Sequence, residues 1–169
     1  ADDVYNDAST ITATVTNVTG GNFENVDFSN ASETINVTDT IDTTTVSISS
    51  NGDIAEGTEN ATFEVSFDHP AQTAGSVTIM INGDPNNTIT QTFEAGATSV
   101  EFTVPNTNAD DVYNDASTIT ATVTDVTGGN FENVDYSGAS ETINVTDTID
   151  TTTVIISSNG DIAEGTENA

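Results

Sequence analysis

The sequence predicts an all-β protein: an immunoglobulin-like seven-stranded antiparallel β-sandwich carried as a tandem repeat. Three observations lead there. Apolar and polar residues alternate with a period of two almost throughout, β-branched residues dominate, and Ala1 to Ala61 recurs as Ala109 to Ala169. Across that offset of 108 positions only Asn17/Asp125, Phe28/Tyr136, Asn30/Gly138 and Ser47/Ile155 differ. The period is domain-sized, longer than the roughly 20 to 50 residues of a solenoid repeat, so one repeat is read as one domain.

The strands follow in order. The first is Thr43 to Ser50, and the second is Ala61 to Phe67, with Ala61, Phe63, Val65 and Phe67 inward and Thr62, Glu64 and Ser66 outward. The third, Val77 to Ile81, points Val77, Ile79 and Ile81 inward and turns at Asn82-Gly83, a strong hairpin signal. Thr88 to Phe93 is the fourth, and Val100 to Val104 the fifth, with Val100, Phe102 and Val104 inward. Thr118 to Val123 buries Ile119, Ala121 and Val123, and Thr142 to Asp147 buries Ile143 and Val145. Seven short alternating strands in about 100 residues, punctuated by turns, give the sandwich. The Cys pair and core Trp usual in such domains are missing. Tyr113, just before the sixth strand, stands where a tyrosine corner would sit, or is an ordinary half-buried loop residue.

Between the seventh strand and the next strand-like run lies Asp147-Thr148-Ile149-Asp150-Thr151, a short acidic joint whose twin is Asp39-Thr40-Ile41-Asp42-Thr43. Placing boundaries at the joints divides the chain in three. Residues 1–42 are the end of a preceding repeat, 43–150 a complete one, and 151–169 the start of the next. The partial repeats cannot bury a core alone, so neighbouring repeats are expected to complete them.

Charge restricts the partners. The chain has 28 acidic residues, one His and no Lys or Arg, a formal charge of -28. That sign excludes nucleic acid and anionic membrane surfaces and invites metal cations. With no Leu, Trp or Cys, folding should be marginal, and no apolar run is long enough to span a bilayer or serve as a signal peptide.

Seven antiparallel strands bring three loops to the pole from which Asp147 to Asp150 leaves. Those loops carry Asp53, Glu56 and Glu59, then Asp84, then Asp110, Asp111 and Asp115. So many carboxylates repel unless a hard cation sits among them, and six to eight oxygens in flexible geometry suit calcium better than magnesium. Acidic loops that are merely solvated are the alternative.

At this point the motifs resemble a known family. Glu56-Gly57, Ala109-Asp110-Asp111-Val112-Tyr113-Asn114-Asp115, Thr127-Gly128-Gly129-Asn130-Phe131-Glu132 and the joint from Val145 to Val154 are similar to extender repeats of giant repeats-in-toxin adhesins of Gram-negative bacteria. These adhesins include the biofilm and ice-binding types. The resemblance implies an extracellular fibre at the bacterial cell surface. Calcium-rigidified immunoglobulin-like domains would project a distal ligand-binding domain. It also implies that Glu56, Asp110, Asp111, Asp115, Asp147 and Asp150 hold interdomain calcium, with Asp2, Asp3, Asp7, Asp39 and Asp42 doing the same at the earlier joint. The implied partners are neighbouring repeats of the same chain.

Other signals carry less. Gly128-Gly129-Asn130 could begin a calcium-binding nonapeptide but has no tandem copies, and reads as a turn. His69 stands alone, and neither a nucleophile–base pair nor a Cys nucleophile can be assembled, so no enzyme is expected. The rival to a spacer is a binding module that recognises a carbohydrate or host receptor through its loops. Exposed aromatics among Tyr5, Phe23, Phe28, Tyr113, Phe131 and Tyr136 would favour it. An acidic protein of a salt-loving organism would explain the charge but not the joint.

Overall fold

A computed structural model describes residues 2–58 and 60–165. Among them no helix occurs; the chain is a β-sandwich with an added hairpin. β1 (Ser9–Thr14) and β2 (Ser32–Val37) form that hairpin, in register from Ser9↔Val37 to Thr14↔Ser32. Both are exposed along their length, so Ile11, Ile35 and Val37 face solvent.

The sandwich follows. β3 (Thr43–Ser50), β5 (Asn60–Phe67) and β8 (Ser99–Pro105) make one sheet, extended at its edge by β10 (Asn133–Asp135), which runs parallel to β3. The facing sheet runs in the order β4 (Ile54–Ala55), β11 (Ser140–Thr146), β9 (Ser117–Gly128), β6 (Gly75–Ile81), β7 (Asp84–Phe93). One cluster fills the space between them, from Val46 through Phe63, Ile79 and Phe102 to Val145. All seven strands expected from the alternation are present, and the residues expected to face inward on β5, β6, β9 and β11 are buried. On β8, Phe102 and Val104 are buried while Val100 is partly so.

Two aromatic pairs pack in the core, one within a sheet and one between the sheets. Phe63 and Phe102 stack at 5.4 Å within one sheet, and Phe67 meets Phe93 of the other edge-on at 5.0 Å. The Asn82-Gly83 turn closes β6 onto β7 with φ of 52° and 69°, a left-handed pair that Asn and Gly adopt at low cost. Asn82 also donates its N–H to Thr120 O and accepts the Thr120 N–H on its side-chain oxygen, both at 2.8 Å, so it continues the ladder onto β9.

Two short strands were not expected. β4 and β10 pair in parallel over two and three residues, too short for alternation to be visible. They matter for position. β4 holds the β3–β5 loop against the end of β11, and β10 holds the β9–β10 loop against the start of β3 at the other pole.

Residues 151–158 repeat 43–50 but for one substitution, yet they form no strand. Val46 is 3% exposed whereas its twin Val154 is 91% exposed. The difference is the partner: β3 pairs with β5 and β10, and none of the described residues pairs with 151–158. A strand is stabilised by its ladder and its buried face more than by intrinsic preference.

Candidate metal centre

The β3–β5 loop reaches the second joint because β4 lies beside β11. Glu56 N donates to Thr146 O at 2.9 Å, and Gly57 N donates to Asn108 O at 2.9 Å, which draws in the β8–β9 loop. Gly57 adopts φ 71°, and a Cβ there would lie 2.8 Å from the Cβ of Asp110. Only glycine lets these two loops close so tightly.

Glu56 is the one carboxylate in the core of this arrangement, at 4% exposure. Its Oε1 accepts the Thr148 N–H at 2.8 Å and faces Thr148 Oγ1 at 2.6 Å. Asp110 Oδ1 lies at 2.6 Å from the same hydroxyl. A threonine hydroxyl has one proton, so it can donate to only one of these two carboxylates. Glu56 Oε2 and Asp147 Oδ1 are buried with no hydrogen-bond partner. Two triads share Glu56: Glu56, Asp115 and Asp147, and Glu56, Asp110 and Asp150, with one oxygen from each member within 4.8 Å of the others.

The electrostatics of this cluster are unfavourable as it stands. Burial, followed by the Glu56 carboxylate, raises the pKa of Asp147 against an opposing N–H from Asp115. Its share of stability is therefore present below the unfolded value and lost as pH rises through the folded one. With no Lys or Arg in the sequence, no side chain can neutralise these groups. His69, the single histidine, pairs instead with Asp68 at 2.8 Å. Bare, converging carboxylate oxygens without a protein cation fit a hard metal ion.

Of the other acidic residues expected at this pole, three accept hydrogen bonds from other partners. Asp111 accepts the Tyr113 N–H at 2.7 Å, closing its own turn, and joins neither triad. Asp84 does the same with Asn86 at 2.9 Å. Asp53 accepts the backbone N–H of Asn144 at 2.8 Å and its side-chain amide at 3.1 Å. Glu59 lies outside the described residues. Tyr113, at 72% exposure, makes no tyrosine corner and is not half-buried.

The Asp53 contact has a consequence for acid stability. The Asn144 backbone N–H and then its side chain lower the Asp53 pKa, so its stabilisation is present above the unfolded value and lost as pH falls through the folded one. Asp53→Ala should lower the melting temperature equally with and without calcium and flatten this acid limb, as thermal scans between pH 2 and pH 7 would show.

At the first joint the carboxylates are spread. Asp7 N donates to Asp39 Oδ2 at 2.9 Å, the Thr40 hydroxyl donates to Asp2, and Asp3 accepts the Tyr5 N–H at 2.9 Å. Asp42 N donates to Glu132 of the β9–β10 loop. That N–H pulls the Glu132 pKa down, but burial and the Asp39 and Asp42 carboxylates outweigh it and leave the pKa raised. Among the described residues, Asp2, Asp3, Asp7, Asp39 and Asp42 form no group of three within ligand reach.

Two participants were not singled out from sequence: Thr148, whose backbone N–H and hydroxyl both lie against Glu56, and Glu132 at the first joint. Glu132 had a signal, since its motif recurs as Gly20-Gly21-Asn22-Phe23-Glu24.

Comparison with known families decides the wider relationship. The family model of the LapA domain matches residues 1–40 and 42–148. The chain belongs to the LapA domain family. LapA is a biofilm adhesin, so this family member is adhesin-related and its family is one of cell-surface proteins. No curated protein and no solved structure matches the chain. Within the LapA domain, the acidic cluster lies where the last strand of the sandwich departs toward whatever follows it.

Proposed function

We propose that this LapA-family chain is a structural extender of a giant bacterial surface adhesin of the repeats-in-toxin type, outside the cell. Calcium at the joint after β11 stiffens the link between consecutive immunoglobulin-like repeats, and the array projects a distal ligand-binding domain. The observation that carries this reading is Glu56: a buried carboxylate shared by two triads, with one oxygen unpartnered and no Lys or Arg in the sequence. The sheet order β3-β5-β8 facing β11-β9-β6-β7 supports the immunoglobulin-like reading.

Calcium suits the site better than magnesium, because five carboxylates contributed by two loops and the joint offer many oxygens at adjustable distances. The ion would bind Glu56 and Asp110 or Asp115 on the domain side and Asp147 or Asp150 on the joint side, converting mutual repulsion into a cross-link. The reading is non-enzymatic. A binding module for carbohydrate or host receptor is the alternative, favoured by the exposed Phe23 and Tyr113.

A calcium titration followed by circular dichroism and thermal melting tests the proposal. The melting temperature should rise saturably with calcium and fall on chelation, with magnesium at equal concentration giving a smaller rise. Equal responses to both ions, or to sodium at matched ionic strength, would reduce the effect to general charge screening.

A further inference from the structure

We infer that Val112-Tyr113-Asn114 is a plug that docks into the β9–β10 loop of a following copy of this unit, an aromatic clasp separate from the metal centre. The inference rests on the chain being part of an array but not on any cation. The same segment exists twice, and its first copy is already docked.

Val4-Tyr5-Asn6, identical to Val112-Tyr113-Asn114, lies against the β9–β10 loop of the sandwich. Tyr5 and Phe131 form an antiparallel bridge, and their rings stack at 6.1 Å. On either side, Asn6 N donates to Asn130 O at 3.1 Å, and Glu132 N donates to Val4 O at 3.0 Å. The Tyr5 hydroxyl donates to Pro70 O at 2.6 Å, in the β5–β6 loop. Phe131 in turn lies 5.9 Å from Phe67 of the core, so the plug is coupled to the sandwich interior. None of these contacts uses a carboxylate.

The second copy lacks this cover. Val4 is 9% exposed, but Val112 is 53% exposed. Tyr113 stands 72% exposed, while Tyr5 is half-buried. On the receiving side the pattern is mirrored: Phe131 packs against the core, and its twin Phe23 is 67% exposed.

The receiving loop has the same shape whether filled or empty. Gly128, Gly129 and Asn130 have φ of 80°, 77° and 60°; Gly20, Gly21 and Asn22 have 84°, 84° and 54°. In each, the Phe ring folds over the second glycine so closely that a Cβ there would lie 2.3 Å from it. The two glycines therefore pre-shape the socket, which lowers the ordering cost of docking.

The occupant is another copy of this unit because a complete socket also needs Pro70 and Phe67. The β1–β2 segment carries no counterpart of these, and among the described residues the one complete socket is filled by Tyr5. A head-to-tail contact of this kind is heterologous, and repeated between successive units of one chain it links each unit to the next.

The test is tyrosine nitration by tetranitromethane, read peptide by peptide, on this chain and on the same chain lengthened by one further repeat. In the present chain Tyr5 should resist and Tyr113 react. In the lengthened chain Tyr113 should become as resistant as Tyr5, in chelator as well as in calcium. Tyr5→Ala should also abolish hydrogen-exchange protection at the Asn6 and Glu132 amides of this chain, whereas Tyr113→Ala should leave both protected. If Tyr113 stays fully reactive in the lengthened chain, there is no clasp, and protection seen only with calcium would make it a by-product of the metal. Protection in chelator together with an absent calcium response would leave the clasp standing and remove the metal reading.

Discussion

Glu56→Gln should abolish the calcium response of the joint while making the metal-free chain more stable. The substitution keeps the shape of the side chain and removes one buried charge. In the metal-free state the Glu56 carboxylate sits at 4% exposure among Asp110, Asp115, Asp147 and Asp150, with Oε2 unpartnered. Removing an uncompensated buried charge relieves the fold. With calcium the sign reverses. At a hundredfold excess over Kd a single site stabilises the folded state by about 2.7 kcal/mol. Both triads share Glu56, so the variant should gain almost none of this. Urea unfolding curves with calcium and with chelator would show the two proteins exchanging rank. A variant that is less stable in both conditions would mean that Glu56 serves the fold through Thr148 rather than through a cation.

The second large effect lies in the core. Phe63→Ala should cost about 3–5 kcal/mol, the usual range for deleting a buried aromatic side chain. Phe63 is 1% exposed and stacks on Phe102 at 5.4 Å. A domain has only about 5–15 kcal/mol in hand, and this sequence, without Leu, Trp, Lys or Arg, belongs toward the lower end. The variant should therefore be mostly unfolded in chelator and partly rescued by calcium. Glu64→Ala on the outer face of the same strand should change stability by no more than about 0.5 kcal/mol. Its sign should be stabilising, because Glu64 stands directly opposite Glu101 across β5 and β8. Denaturant titration with unchanged slope distinguishes these outcomes from a change in compactness.

The strands were legible because alternation is a local signal. Ala61, Phe63, Val65 and Phe67 declare one face without reference to the rest of the chain. β4 and β10 were not legible, since two or three residues carry no period and their parallel partners lie far along the sequence. The same limit applied to 151–158, whose composition reads as a strand and which forms none.

The acidic cluster was legible as a pole but not in its membership. Strand order alone brings Glu56, Asp110, Asp115 and Asp147 to one end. Side-chain destination is decided by contacts that sequence does not mark. Asp53 is drawn to Asn144, 91 residues away, and Asp111 closes a turn that its neighbour Asp110 does not. The clasp was hidden for another reason: Tyr5 and Tyr113 share one sequence and differ only in what covers them.

On the proposed function, calcium bound at the joint converts a string of repeats into a rod. Small-angle scattering on an array of these repeats tests it most directly. A sandwich with strands of six to ten residues at roughly 3.3 Å each, plus its loops, should add on the order of 40 Å per repeat. In millimolar calcium the maximum dimension should grow in proportion to repeat number with a narrow distribution, and in chelator it should shorten and broaden. A length distribution that chelation leaves unchanged would contradict calcium as the fastener of the joint.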